Sequence, residues 1–166
     1  TIQGFINQGI DIAPSTAGLV QQVTVRGTDI RNNTLQGILV VPSGTATVSL
    51  AVHESSIANN GAAGIDIAGL NNSGSIQNSS LVGNLVGAQL ELTSSKMFLD
   101  GVLVANNATG ITSGIGGQTP VTRITRCSVV NNGTGIGGTG TTVGFTSNTV
   151  IGNGAGNAVS SSSPSV

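Results

Sequence analysis

The chain has 166 residues, a formal net charge of −1, 7% charged and 2% aromatic residues, and neither Trp nor Tyr. Near-neutrality offers no electrostatic pull toward nucleic acid or anionic lipid, and no apolar run approaches the roughly 18 residues of a membrane-crossing helix. A lone Cys127 excludes an internal disulfide framework and a thiolate metal cluster, and the 37% hydrophobic content excludes a disordered polyelectrolyte.

In chain order, the first element opens at Ile2, turns at Gly4 and continues into a short strand, Gly9 to Ile12 (GIDI). A loop over residues 13–22 leads to Val23 and Val25, whose alternation marks a half-buried strand, and then to Ile30. There the pattern starts again. Asn32 and Asn33 are followed by the strand Gly37 to Val40 (GILV), a loop over 41–47, the alternating pair Leu50 and Val52, and Ile57. Asn59 and Asn60 then precede a second GIDI at Gly64 to Ile67, and Leu81, Val104, Val129 and Val150 begin further copies. The aliphatic anchors Ile2, Ile30, Ile57, Leu81, Val104, Val129 and Val150 are separated by 28, 27, 24, 23, 25 and 21 residues.

Two columns beside these anchors carry the fold. Two positions after each stands Gly4, Asn32, Asn59, Gly83, Asn106, Asn131 or Gly152, the two residue types that enter the left-handed backbone region at least cost. A recurrent tight turn is expected there. Three positions after come Phe5, Asn33, Asn60, Asn84, Asn107, Asn132 and Asn153. Stacked at the inter-strand spacing of about 4.8 Å, the six asparagines would form a structural ladder in which each amide donates to the next.

Three short strands per coil and parallel connections predict an all-β fold, a parallel β-helix of about six to seven coils with an Asn ladder. The uneven period argues against a left-handed hexapeptide solenoid, and parallel crossovers are overwhelmingly right-handed. A single domain is expected over residues 1–159, with a Ser-rich tail over 160–166. The I-x-N-N-x-x-(x)-G-I core, as in IRNNTLQGI from Ile30 and IANNGAAGI from Ile57, resembles the right-handed parallel β-helix repeat proteins, the architecture shared with pectate lyases. The resemblance covers almost the whole chain. In carbohydrate-active members it implies catalytic residues on one outward strand face, walled by long loops.

Those features are not matched here. The loops, such as residues 13–22, 41–47 and 91–96, hold ten residues or fewer, and the Asp-pair and Gly-His-Gly motifs of polygalacturonase-like enzymes are missing. Asp11 and Asp66 share an outward column two coils apart, roughly 10 Å, slightly beyond the separation of a glycosidase pair, and are read as solvated surface carboxylates. His53 stands in the column Arg26, His53, Gln77, Asp100, Thr125 and Thr146 with no orienting partner, and is read as a surface histidine. Arg26, Asp29 and Arg31 form an exposed charge cluster, and Arg123 and Arg126 are thin grounds for an anion site. Cys127 aligns with Thr28, Ser55, Ser79 and Asn148 on the inward side and is read as a small core residue. The N-x-S/T matches at Asn78, Asn107 and Asn132 reflect composition. No catalytic, metal or cofactor site is expected. The outward columns lack the repeated Thr of an ice-binding face, and without Trp or Tyr the usual sugar-stacking platform is absent.

The chain opens on an anchor with no capping helix before it, and SSSSPSV is too short to shield the last coil. Either the polypeptide continues or the ends stack on one another. The expected function is a non-enzymatic extracellular or cell-surface element, bacterial, self-associating through the helix ends into a filament or matrix. The alternative is a polysaccharide-binding or lyase-type carbohydrate-active β-helix.

Overall fold

The computed structural model describes residues 1–138 and 142–155, so the Ser-rich segment 160–166 lies outside the described residues. Strands fall into three parallel sheets, one strand of each per coil. Sheet A stacks Ile2–Gln3, Asp29–Arg31, Ser56–Ala58, Ser80–Val82, Leu103–Ala105, Ser128–Val130 and Thr149–Ile151. Sheet B stacks Ile10–Ile12, Ile38–Val40, Ala63–Ile67, Val86–Leu90, Thr109–Ser113 and Thr134–Gly137. Sheet C stacks Val20–Arg26, Thr47–His53, Ser73–Gln77, Lys96–Asp100, Val121–Thr125 and Thr142–Thr146. Strands of sheet C begin earlier than expected, which shortens the B-to-C loops to residues 13–19, 41–46 and 91–95.

The register matches the sequence columns. Each anchor pairs with the next, Ile2 with Ile30, Ile57 with Leu81, Val104 with Val129, and Val129 with Val150. Their side chains meet inside the solenoid, where Ile30, Ile57, Leu81, Val104 and Val129 are fully buried. Sheet B contributes Ile38, Ile65, Ala88 and Ile111, and sheet C contributes Val52, Ile76, Leu99 and Ile124. Because strand side chains alternate, one residue of slip would turn each column outward, so burial itself enforces register. Where an inward side chain is missing, a neighbour fills the gap: a Cβ on Gly74 would come within 2.4 Å of Ile67 Cδ1. One polar pair sits in the core, Ser113 Oγ and Thr122 Oγ1 at 2.6 Å.

The asparagine column is continuous from Asn33 to Asn153 at the corner between sheets A and B. Asn84 shows the bonding. Its Oδ1 accepts the backbone N–H and Nδ2–H of Asn60, both at 3.0 Å, while its Nδ2 donates to Ile57 O at 3.1 Å and Asn107 Oδ1 at 3.3 Å. Asn107 and Asn132 repeat this arrangement. Two donors and two acceptor sites are all that a carboxamide has, so the buried amide is fully satisfied. In the first coil Phe5 occupies the column, exposed, with its N–H on Asn33 Oδ1 at 3.1 Å. The preceding turn residues all have positive φ, from 54° at Asn59 to 75° at Gly4. The Gly that follows the ladder has its own cause: a Cβ on Gly87 would lie 2.4 Å from Gly110 O and 3.1 Å from Asn107 Nδ2.

A second polar column lies at the corner between sheets C and A. Ser55 Oγ accepts Thr28 N–H at 3.2 Å, Ser79 Oγ accepts Ser55 N–H at 3.1 Å, Cys127 Sγ accepts Val102 N–H at 3.4 Å, and Asn148 Oδ1 accepts Cys127 N–H at 2.8 Å. The hydroxyls of Ser55 and Ser79 each donate to the carbonyl two residues back, at 2.8 and 2.7 Å. Cys127 is buried as expected, and it is also a rung of this column. Each rung follows a residue of positive φ: Gly27, Glu54, Asn78, Gly101, Arg126 and Ser147.

Removing one ladder amide tests the first column. Asn84→Ala strands buried groups of Asn60, Ile57 and Asn107, each costing roughly 1–3 kcal/mol. A loss of about 3 kcal/mol in urea-unfolding free energy is expected, and a loss below about 1 kcal/mol would show that the ladder contributes little. The second column makes the opposite prediction. Glu54 holds φ 52° where Asn78 sits in the next coil, and its exposed pair with Arg26 is worth little. Glu54→Asn is therefore expected to raise thermal stability by about 0.5–1 kcal/mol.

Candidate functional site

The candidate residues named from the sequence do not converge. His53 lies on the outward face of sheet C between Arg26 and Gln77, half-buried, and its ring meets no hydrogen-bond partner among the described residues. Arg26 pairs with Glu54 at 3.3 Å, so the charge cluster expected around Arg26 is divided: Arg31 turns to Asp29 at 3.2 Å and to Gln3 Oε1 at 3.0 Å. Arg126 is held by Asp100, with Nε to Oδ1 at 2.9 Å. Burial pushes the Cys127 thiol up from its ordinary value, the opposite of what a nucleophile needs.

Asp66 corrects the sequence reading. It shares the outward column with Asp11 and Leu39, but it is only 4% exposed and not a solvated carboxylate. Gln36, placed by the ladder corner of the preceding coil, reaches across sheet B and donates from Nε2 to Asp66 Oδ2 at 3.2 Å. From the following coil Gln89 Nε2 bridges Asp66 Oδ1 at 3.4 Å and Glu91 Oε1 at 2.7 Å. Burial, and then the neighbouring charge of Glu91, push the Asp66 carboxyl up to about 6, while the two carboxamide donors pull it down. The signal in the sequence was Gln36, one residue before Gly37. Column alignment alone does not show that a side chain from the turn lies over the strand.

Asp66 and Glu91 are thus the one buried-carboxylate arrangement among the described residues with acid–base potential. It lies on the outward face of sheet B. A concavity of about 400 Å³ lies elsewhere, at the B-to-C corner between Pro42, Thr45, Ala46, Ala68, Leu70 and Leu92, and no charged residue lines it. No group of three or more His, Cys, Asp or Glu suited to a metal occurs among the described residues.

The raised Asp66 pKa has a signed consequence for stability. A carboxyl at about 6 in the fold, against 3.8 ordinarily, favours the folded state fully below pH 3.8, and this contribution is lost as pH rises through 6. The change amounts to about 3 kcal/mol. Unfolding free energy is expected to fall by most of this amount between about pH 3.8 and pH 7 in the wild type, levelling off above about 6, and to fall markedly less in Asp66→Asn. Equal slopes in urea titrations of the two proteins would contradict the assigned environment.

Comparison with curated proteins found no match, and neither did comparison with solved structures. A family model, described as a right-handed β-helix region, matches residues 8–166. With that match running over all but the first seven residues, the parallel solenoid is right-handed, and the chain belongs to the right-handed β-helix region family.

Proposed function

We propose that this chain is a non-enzymatic structural element of an extracellular or cell surface, extending end to end with copies of itself. The observation that carries this reading is where the polar side chains are spent. Asn33, Asn60, Asn84, Asn107, Asn132 and Asn153, together with Ser55, Ser79 and Ser95, are buried and bonded from coil to coil. None of them lines the concavity at the B-to-C corner. Such a molecule is built for axial rigidity, and a column of matched rungs is extended by any surface that repeats them.

The second reading, a polysaccharide-binding or lyase-type β-helix, draws on Asp66, whose burial and then the neighbouring charge of Glu91 push its carboxyl up to about 6. The two readings separate in one pair of measurements. Negative-stain microscopy and light scattering from micromolar to millimolar protein are expected to show concentration-dependent fibres and no ultraviolet-absorbing product from neutral or uronic-acid polysaccharides. A monodisperse monomer with unsaturated sugar products lost in Asp66→Asn would reverse the assignment.

A further inference from the structure

The charged residues are few, and their pairing leaves a residue of order. Arg26 pairs with Glu54, Arg31 with Asp29 and Arg126 with Asp100. Among the described residues this leaves two side-chain cations without an ion pair, Lys96 and Arg123, and two accessible carboxylates, Asp11 and Glu91, Asp66 being buried and held by Gln36 and Gln89. The two sets lie on different faces. Lys96 and Arg123 stand outward on neighbouring strands of sheet C, where Lys96 is level with Val121 and Arg123 with Phe98. Asp11 and Asp66 stand in one outward column of sheet B, and Glu91 follows its strand Val86–Leu90 two residues beyond Gln89, the register partner of Asp66.

Lys96 and Arg123 are diagonal neighbours, one strand and two residues apart, about 8 Å from the strand spacing and rise. Apolar side chains flank both sets: Phe98 and the exposed Val121 on sheet C, Leu39 and the exposed Val41 on sheet B.

We propose that sheet C of one copy packs laterally on sheet B of a second copy, through Lys96 and Arg123 on one face and Glu91 and Asp11 on the other. This rests on the structural reading and adds a direction to it: side-by-side packing of solenoids, beyond their extension along the axis. Charge complementarity selects the partner, because the chain carries on sheet B the unsatisfied sign that sheet C lacks. The face is small. Six strands at about 4.8 Å and five residues at about 3.3 Å give roughly 480 Å², about 60% of what a stable interface buries per partner. A single lateral contact is therefore weak, and repetition along a stack multiplies it.

A charge-swap experiment tests the pairing. One variant carries Lys96→Glu and Arg123→Glu, the other Asp11→Lys and Glu91→Lys, so that each presents two faces of like sign. By sedimentation velocity at about 20 mM salt, the wild type is expected to self-associate, with association lost at about 500 mM salt. Each variant alone is expected to associate at least about tenfold more weakly, and an equimolar mixture to recover most of the wild-type association. Recovery also demonstrates that both variants fold. Axial fibres of the variants seen singly, where the wild type forms bundles, would support lateral packing and axial extension together. Bundling unchanged in both variants, or no recovery in the mixture, would overturn the lateral contact and leave axial extension standing. A wild type that stays monomeric and binds immobilised acidic polysaccharide through Lys96 and Arg123 would overturn both and give the face to a glycan.

Discussion

A carboxamide buried without partners is among the costlier things a small domain can contain, and this one buries a column of six. Each is tolerable only because the coils above and below place backbone and amide groups at its bonding positions, all four of them at Asn60 and Asn84. The dependence runs both ways. A coil displaced along its strand by one residue would leave donors and acceptors unpaired in a dry corner, at roughly 1–3 kcal/mol per group. The ladder therefore fixes where each coil sits, and the aliphatic columns inherit that register. Sheet A strands such as Ser56–Ala58 are three residues long, too short to hold alignment through their own hydrogen bonds. They hold because the turn that follows them is pinned.

This corner was legible in the sequence because chemistry and geometry select the same two residues. Asn and Gly enter the left-handed turn cheaply, and only Asn then has the reach and the paired donor and acceptor for the next rung. The opposite corner uses the same backbone device but does not select its residues so narrowly. Its left-handed positions hold Gly27, Glu54, Asn78, Gly101, Arg126 and Ser147, and its rungs are Thr28, Ser55, Ser79, Val102, Cys127 and Asn148. A hydroxyl, a thiol or an amide can each accept one N–H, and Val102 simply omits the bond. The alignment of Cys127 with serines was visible; its bonding role was not, since composition carries no constant signature there.

Asp66 shows a different limit. Column membership assigns a side chain to the inner or outer face of a sheet, and Asp66 is indeed outward. Exposure, however, is decided by what crosses that face, and Gln36 arrives from a turn about thirty residues earlier in the chain. A solenoid of uniform coils would have kept the carboxyl in water. One long amide at the edge of the turn is enough to change its surroundings, and with them its acidity.

The amides of the ladder all point the same way: every Oδ1 receives hydrogens from the lower-numbered coil, and Nδ2 reaches toward the higher-numbered one. Their dipoles add as peptide dipoles add in an α-helix, so the rod is vectorial. Two copies meeting through identical ends would bring like poles together. Any assembly that prolongs this column must keep one arrow throughout, as a chain of magnets does, and cannot close on itself by a two-fold axis.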